Sequence, residues 1–481
     1  MKQTLRSETG FSRRNFLRGS LLTAGVFSLS GCTTLSQSPR RAYLPGTKLN
    51  LGAIGAGGKG AVDIEEVMKA GMNVMAMCDV DETALLKTAV EVRKQNPHVR
   101  LYRDFRVMLE REKNIDAVTV SIPDHMHAPA TALAMSLGKH VYCQKPLTHT
   151  IWEARRIRKL AQRYGVVTQM GNQGSANSET RRGVELLKAG VIGPVREVHI
   201  WTNRPIWPQG VARPTNTDIV PSTLDWNLWL GVAPQRPFVD KWPGVAAKQP
   251  FGDRVYHPFT WRGWHDFGTG ALGDMACHTA NLAFRALDLG YATEVEAKVE
   301  GATAESYPKH AHVRFQFPQR GALPPVTLMW YEGGWKPEPE LVKDVTDLRG
   351  ETPIAGCYFV GDKGRLFTAD DYGGSNFIRM NDEEKLKSVT KHEVCKGVPE
   401  SLPRVASNYQ EWVDACLAGN PEAPYSRFDI AAYLTEIILI GCAAIRLPGR
   451  KIAWDGPHMH SPNTPEVAAL IRGAYRPGWT V

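Results

Sequence analysis

A strand that runs straight into a glycine turn and then into a helix restricts this chain more than any other feature. In KLNLGAIGAGGKG, residues 48–60, apolar residues lead into Gly55-x-Gly57-x-x-Gly60, and AVDIEEVMKAG follows with helical spacing. The first glycine permits a tight turn, the second lets backbone approach a pyrophosphate, and the third lets helix and strand pack closely. Gly58 and Lys59 complete the turn, and the helix start offers unpaired N–H groups and a partial positive charge to an anion. A second strand, NVMAMCDVD, reaches Asp79, 19 residues past Gly60. An acid there accepts from ribose hydroxyls and repels a 2′-phosphate, so the pattern favours NAD over NADP. The glycine fingerprint alone is weak evidence, and its context carries the reading. The competing reading of Asp79 is a solvated strand-end acid.

Strand and helix keep alternating after that point. VRLY, DAVTVSIP, HVYCQKP and VVTQMGNQG read as strands, with helices near 104–112, 126–138 and 150–164 between them. Continuous apolar runs of this length describe a parallel sheet covered on both faces. Ligands bind beyond the carboxyl ends of such strands. Those ends carry Pro123-Asp124-His125, with His127 close behind, then Gln144-Lys145-Pro146 and Gly171-Asn172-Gln173. The expected cofactor set is therefore Gly55, Gly57, Gly58, Lys59, Gly60, Asp79, Pro123, His127, Gln144, Lys145 and Asn172.

A lysine in this crevice can hydrogen-bond a substrate oxygen as it becomes a carbonyl. Lys145 gains meaning from FGTGALGDMACHTANLAFRALDLG, residues 267–290. Leu272, Met275, Ala276, Ala280, Ala283 and Leu287 repeat at helical spacing, which puts Asp274 and His278 on one side of a helix. Imidazole can take a hydroxyl proton near neutral pH, and a carboxylate one turn away can orient it. Lys145, Asp274 and His278 are thus the catalytic candidates. A metal site and a merely structural Asp/His pair compete with this reading; no third metal ligand is evident.

The glycine turn, QKP at the fifth strand, IPDHMHAP and the GDMACH helix together resemble the Gfo/Idh/MocA oxidoreductase family over most of residues 48–450. The family's Glu-Lys-Pro lysine and Asp-x-x-x-His pair map onto Lys145, Asp274 and His278, and Gln144 departs from the usual glutamate. The resemblance implies an α/β protein: an N-terminal Rossmann domain over 48–172 and a C-terminal α+β domain over 173–450 with an open, largely antiparallel sheet. A C-terminal extension over 451–481 follows. The second sheet's expected strands are VREVHIWTN, EVEAKVEG, AHVRFQFPQ, VTLMWYEGG and CYFVGDKGRLFT, and helices near 404–418 and 427–446 are expected to pack back toward the first domain. Pairing through the open sheet face implies a homo-oligomer. The family also contains NAD-dependent glycosidases, but the THGLGP-like stretch associated with them is absent here.

The chain's start adds an address. Arg13 and Arg14 precede a short apolar run from Leu21 to Leu29, the layout of a twin-arginine export signal, and Leu29-Ser30-Gly31-Cys32 resembles a lipobox whose cysteine is acylated. Residues 1–31 read as signal and 32–47 as tether, giving a periplasmic protein anchored through Cys32. Residues 1–41 hold seven Lys/Arg and one Glu, so six of the nine net positive charges lie there; the body keeps +3 and shows no nucleic-acid footprint. The seven other cysteines are scattered singly, which suits buried thiols better than a disulfide framework. An exported enzyme must carry its own NAD; retention for hours implies a dissociation constant on the order of 0.1 nM. The arm before residue 47 is a candidate cover for the adenosine.

Nine of thirteen tryptophans lie between 201 and 335. Aromatic faces suit the C–H faces of sugar rings, so the loops NRPIWPQG and YHPFTWRGWHDFGTG are the expected pocket wall, with Trp207, Tyr256, His257, Trp264 and His265 as candidates. The resulting expectation is hydride transfer between tightly held NAD and a hydroxyl of a sugar, glycoside or polyol. Its rivals are NAD-dependent glycoside hydrolysis and a non-catalytic sugar sensor on the same fold.

Overall fold

Six short strands, largely buried except for the edge strand β3, build the first sheet: β1 (Asn50–Ile54), β2 (Asn73–Cys78), β3 (Arg100–Tyr102), β4 (Ala117–Val120), β5 (His140–Cys143) and β6 (Thr168–Met170). All pairs are parallel, in the order β3-β2-β1-β4-β5-β6. Succession reverses between β1 and β4, which opens a crevice above their carboxyl ends. This computed structural model describes residues 43, 44, 46–244 and 252–481, so Arg13, Arg14 and Cys32 lie outside the described residues.

The connecting helices are α1 (Lys59–Lys69), α2 (Glu82–Val92), α3 (Phe105–Arg111), α4 (Asp124–Ser136) and α5 (Ile151–Tyr164). Local chemistry sets their ends. Asp81 and Asp104 cap α2 and α3, while Thr150 and Glu153 form a reciprocal capping box on α5, which stops at left-handed Gly165. Helix α1 is different: Gly58 precedes it and no side chain caps it, so its first N–H groups face the crevice.

The second sheet has nine strands: β7 (Val195–Trp201), β8 (Glu294–Glu300), β9 (His310–Phe317), β10 (Val326–Glu332), β11 (Gly356–Gly361), β12 (Gly364–Ala369), β13 (Ser375–Met380), β14 (Lys387–Ser388) and β15 (Ile452–Ala453). Their order is β14-β13-β12-β11-β7-β10-β9-β8-β15, antiparallel throughout except where β7 meets β10. The stretch 357–368, expected as one strand, is a hairpin turning at Asp362 and Lys363. Along β9 and β10 buried and half-buried residues alternate. The buried set, including Phe315 and Trp330, packs with α10 (Phe428–Arg446), which is apolar enough to cross a bilayer but is the core helix of this domain. Between the sheets run α6 (Ser178–Lys188), α7 (Gly270–Thr279) and α8 (Asn281–Ala286).

Two distant segments tie into the first domain. Helix α9 (Asn408–Ala418) places Tyr409, Trp412, Val413 and Cys416 in one apolar cluster with Leu49, Leu51 and Tyr142. Residues beyond 451 do not form a separate appendage: β15 extends the second sheet, Tyr475 donates to Glu153, Arg476 donates to the Gly231 carbonyl at 2.7 Å, and Trp479 lies against Phe105 and Arg106. The described end of the arm has another destination than the adenosine side. Tyr43 bonds Asp116 and the Leu417 carbonyl, next to the amino ends of the strands and opposite the crevice. Cys78, Cys143, Cys277, Cys357, Cys395, Cys416 and Cys442 are all buried and unpaired with one another.

Candidate active site

Close backbone approaches demand glycine at two positions of the turn, Gly55 and Gly60. A Cβ on Gly55 (φ +92°) would sit 2.2 Å from the Ser121 carbonyl oxygen, and one on Gly60 would sit 2.4 Å from the Gly55 carbonyl oxygen. Asp79 braces the same turn. Its Oδ2 accepts from the N–H groups of Ala56 (2.7 Å) and Gly57 (3.1 Å), and its Oδ1 from Asp81 N–H (2.9 Å). Burial pushes this carboxyl up while the Ala56 and Asp81 amides oppose the rise. An ionised carboxylate has about four acceptor positions, so about one remains for a ribose hydroxyl. The turn and the bare start of α1 therefore fit a dinucleotide.

The adenosine side of this turn is flanked by the second domain. Glu82 N–H donates to the Thr223 carbonyl (2.8 Å), Asp225 N–H donates to the Val80 carbonyl (2.9 Å), and His257 Nε2 lies 2.9 Å from Asp81 Oδ2. Burial alone would raise the Asp81 carboxyl, but His257 and nearby N–H groups hold it below its ordinary range. His257 thus belongs to the nucleotide end of the crevice, not to the expected sugar wall.

At the other end, Lys145 leaves β5 and crosses to α7. Its Nζ donates to Asp274 Oδ1 and to the Asp274 carbonyl, both at 2.8 Å. Arg262 Nε adds a second contact to the carboxylate, also at Oδ1, at 3.3 Å. Burial opposes ionisation of Asp274, yet Lys145 and Arg262 bring it down to about 2. One turn along α7, His278 Nδ1 is buried with no hydrogen-bond partner. Burial first, then the Lys145 charge, depresses this imidazole well below its ordinary value, so it is neutral near pH 7. Asn172 Nδ2 donates to the Cys277 carbonyl at 3.1 Å and fastens β6 to the same helix. The three catalytic candidates form one cluster: a fixed ammonium, its carboxylate, and a neutral ring with a free nitrogen.

Other candidates take supporting roles. His127 sits between the Ile122 and Pro146 carbonyls, each 2.7 Å from a ring nitrogen, and clamps the loops after β4 and β5. Pro123 occupies the N-cap of α4. Gln144 is buried and donates to Asp63. Asp124, expected at the crevice edge but given no role by the sequence, accepts from Thr269 Oγ1 (2.8 Å) beside the cluster and is pushed up to about 7, chiefly by burial.

The aromatic expectation needs correction. Tyr256 and Trp264 are 0% and 1% exposed and pack with Trp226, Trp229 and Phe267 in an aromatic core. This cluster comes from residues 224–267, a segment poor in regular structure. Trp207 is buried too, its Nε1 donating to Gln209 at 2.9 Å and its ring near Arg262. His265 opens onto a different cavity of about 240 Å³, shared with His149, Glu153 and Arg446 and not lined by Lys145, Asp274 or His278. The residues that do approach the cluster come from elsewhere. Tyr372, 37% exposed in the turn between β12 and β13, meets the His278 ring edge-on at 4.8 Å. Beside it Asp371 accepts from Thr202 Oγ1 at 2.9 Å and lies 3.9 Å from the Arg204 guanidinium. Nothing in the pattern of residues 370–374 marks them beforehand.

Comparisons with known proteins agree with this geometry. Residues 49–172 match the Gfo/Idh/MocA profile, described as an oxidoreductase family with an NAD-binding Rossmann fold. A "Glycosyl hydrolase family 109 protein" from Shewanella putrefaciens is 26% identical over 200 residues, 38% of this chain and 43% of that protein. The chain thus spans about two fifths of the length of the curated relatives it matches. Among solved structures, an inositol dehydrogenase homolog from Azotobacter vinelandii, complexed with NADH and myo-inositol, superposes with a TM-score of 0.54 at 14% identity, covering 85% of this chain and 98% of its own. An aldose-aldose oxidoreductase from Caulobacter crescentus, complexed with glycerol, gives 0.53 at 15% identity, with coverages of 85% and 100%. At these identities the structural likeness shows the fold, and the profile match marks residues 49–172 as an NAD-binding Rossmann fold similar to that of the Gfo/Idh/MocA oxidoreductases.

Proposed function

We propose that this protein is an NAD-dependent oxidoreductase that moves a hydride between NAD and a hydroxyl-bearing carbon of a sugar, glycoside or polyol. The observation that carries the reading is the pinning of Lys145 Nζ by Asp274, 2.8 Å away, beside the free Nδ1 of His278. The glycine turn and Asp79 would hold NAD, which when bound would supply the hydride acceptor. Lys145 donates a hydrogen bond to the substrate oxygen as it becomes a carbonyl. His278, a neutral imidazole beside them, receives the hydroxyl proton, and Asp274 keeps Lys145 in place. Tyr372 offers a ring face to substrate C–H groups while Arg204 and Asp371 read hydroxyls. The test is a panel of sugars and polyols with NADH monitored at saturating NAD: wild type turns over at least one, and Lys145→Ala does not.

Export through a twin-arginine leader and anchoring at Cys32 belong to the same proposal and rest on residues 7–32. Fatty-acid labelling that disappears in Cys32→Ser checks the anchor. The face of the second sheet that carries half-buried His312 and Tyr331 supports pairing with a second copy, which sedimentation of the purified chain in the ultracentrifuge measures. A second reading, glycoside hydrolysis through transient oxidation, is favoured by the names of the curated relatives. An aryl glycoside separates the two: aglycone release without net NADH indicates hydrolysis.

A further inference from the structure

Two polar side chains deep in the first domain are matched to each other. Asp63, one turn into α1, is 0% exposed, and its carboxylate has five close donor contacts. Gln144 Nε2 contacts both oxygens, at 3.0 and 2.8 Å; Ser121 Oγ lies at 2.6 Å, Tyr409 OH at 2.7 Å and Lys59 Nζ at 2.9 Å. A glutamate at position 144 would set a second carboxylate against the first with no water to separate them, an arrangement in which both cannot stay ionised. The glutamine is therefore the residue that Asp63 requires.

The network has an exit toward the crevice. Lys59 opens α1 beside Gly58, and its side chain is 35% exposed. Two of its three N–H groups are engaged, by Asp63 and by the Tyr409 hydroxyl at 2.8 Å, and the hydroxyl in turn donates a hydrogen bond to Asp63. The uncapped N–H groups of α1 lie alongside. We propose that Asp63, Gln144 and Tyr409 are positioning residues that hold the Lys59 ammonium at the mouth of the glycine turn, where it is the cation that meets the cofactor's pyrophosphate. This rests on the NAD reading above. The outlying member, Tyr409, comes from α9, so a helix more than two hundred residues beyond the Rossmann strands completes the nucleotide site.

NADH titration of the purified full-length chain at several salt concentrations tests the idea. Lys59→Met should weaken NADH binding about tenfold and flatten its salt dependence, together with a lower melting temperature because buried Asp63 loses its cation. Gln144→Glu should also weaken binding, and adding Asp63→Asn to it should restore affinity to within about threefold of wild type, because the new amide donates to the new carboxylate. Wild-type affinity and salt dependence in Lys59→Met overturn the proposal, as does a double variant no better than Gln144→Glu. A wild-type chain that binds no NADH overturns the NAD reading itself, whereas binding that is indifferent to Lys59 overturns only this inference.

Discussion

The two walls of the crevice are built in different ways. On the Rossmann wall these candidate residues stand at or just beyond strand ends: Gly55, Asp79, Pro123, Lys145 and Asn172. On the opposite wall Arg204, Arg262, Asp274, His278 and Tyr372 come from a strand exit, a loop, a helix and a hairpin turn, brought together by a sheet whose neighbours are far apart in sequence. The first wall is set by local backbone chemistry; the second exists only after long-range pairing is complete. Substitutions on the two walls should therefore fail in different ways.

The largest expected effect falls where the walls meet. Lys145→Ala should lower kcat by about 10²–10³-fold while NADH affinity stays near wild type, and a variant with full rate would break the claim that the walls converge on one reacting oxygen. Next comes a contrast within the second wall. Trp264→Ala empties a fully buried site and should cost about 3–5 kcal/mol of stability. Tyr372→Ala should leave the melting temperature alone and raise KM several-fold, about 1 kcal/mol of lost substrate contact. If the two variants behave alike, the division into core and contact aromatics is wrong.

A pH profile sharpens the comparison further. Asp124, raised from 3.8 to about 7 mainly by burial, binds its proton more tightly folded than unfolded. Its contribution to stability is full below about pH 4 and is lost as pH rises to about 7. Asp124→Asn should flatten the fall in melting temperature across that window. A residual slope should remain from Glu153, which is likewise buried and raised to about 7. The smallest effect is expected at the adenosine edge. His257→Ala removes the contact with Asp81 and should speed NADH release a few-fold, about what a partly exposed ion pair contributes; an unchanged release rate would remove the second domain from cofactor retention.

The same contrast explains what the sequence disclosed. The parallel sheet, the glycine turn and the Lys145/Asp274/His278 set were legible because each rests on short-range spacing. Tryptophan density pointed to the sugar wall and misled, since Tyr256 and Trp264 sit in a core that composition cannot tell from a pocket. Tyr372 carries no local signal, because its place beside His278 is fixed by the β12–β13 turn. Gln144 was visible as an oddity, but its partner Asp63 looked like an ordinary helix acid until the fold buried it. The 357–368 hairpin was missed because its two strands are continuous in pattern and only the pair Asp362-Lys363 separates them.

The central claim is that a glycine turn braced by Asp79 holds NAD facing Lys145. Its most direct test is to denature the natively purified protein and identify the released nucleotide by mass spectrometry, with added NADH as a second arm. The account predicts NAD or NADH in the released fraction, or saturable NADH binding if the site was emptied during purification. A chain that releases no nucleotide and does not bind NADH would contradict it.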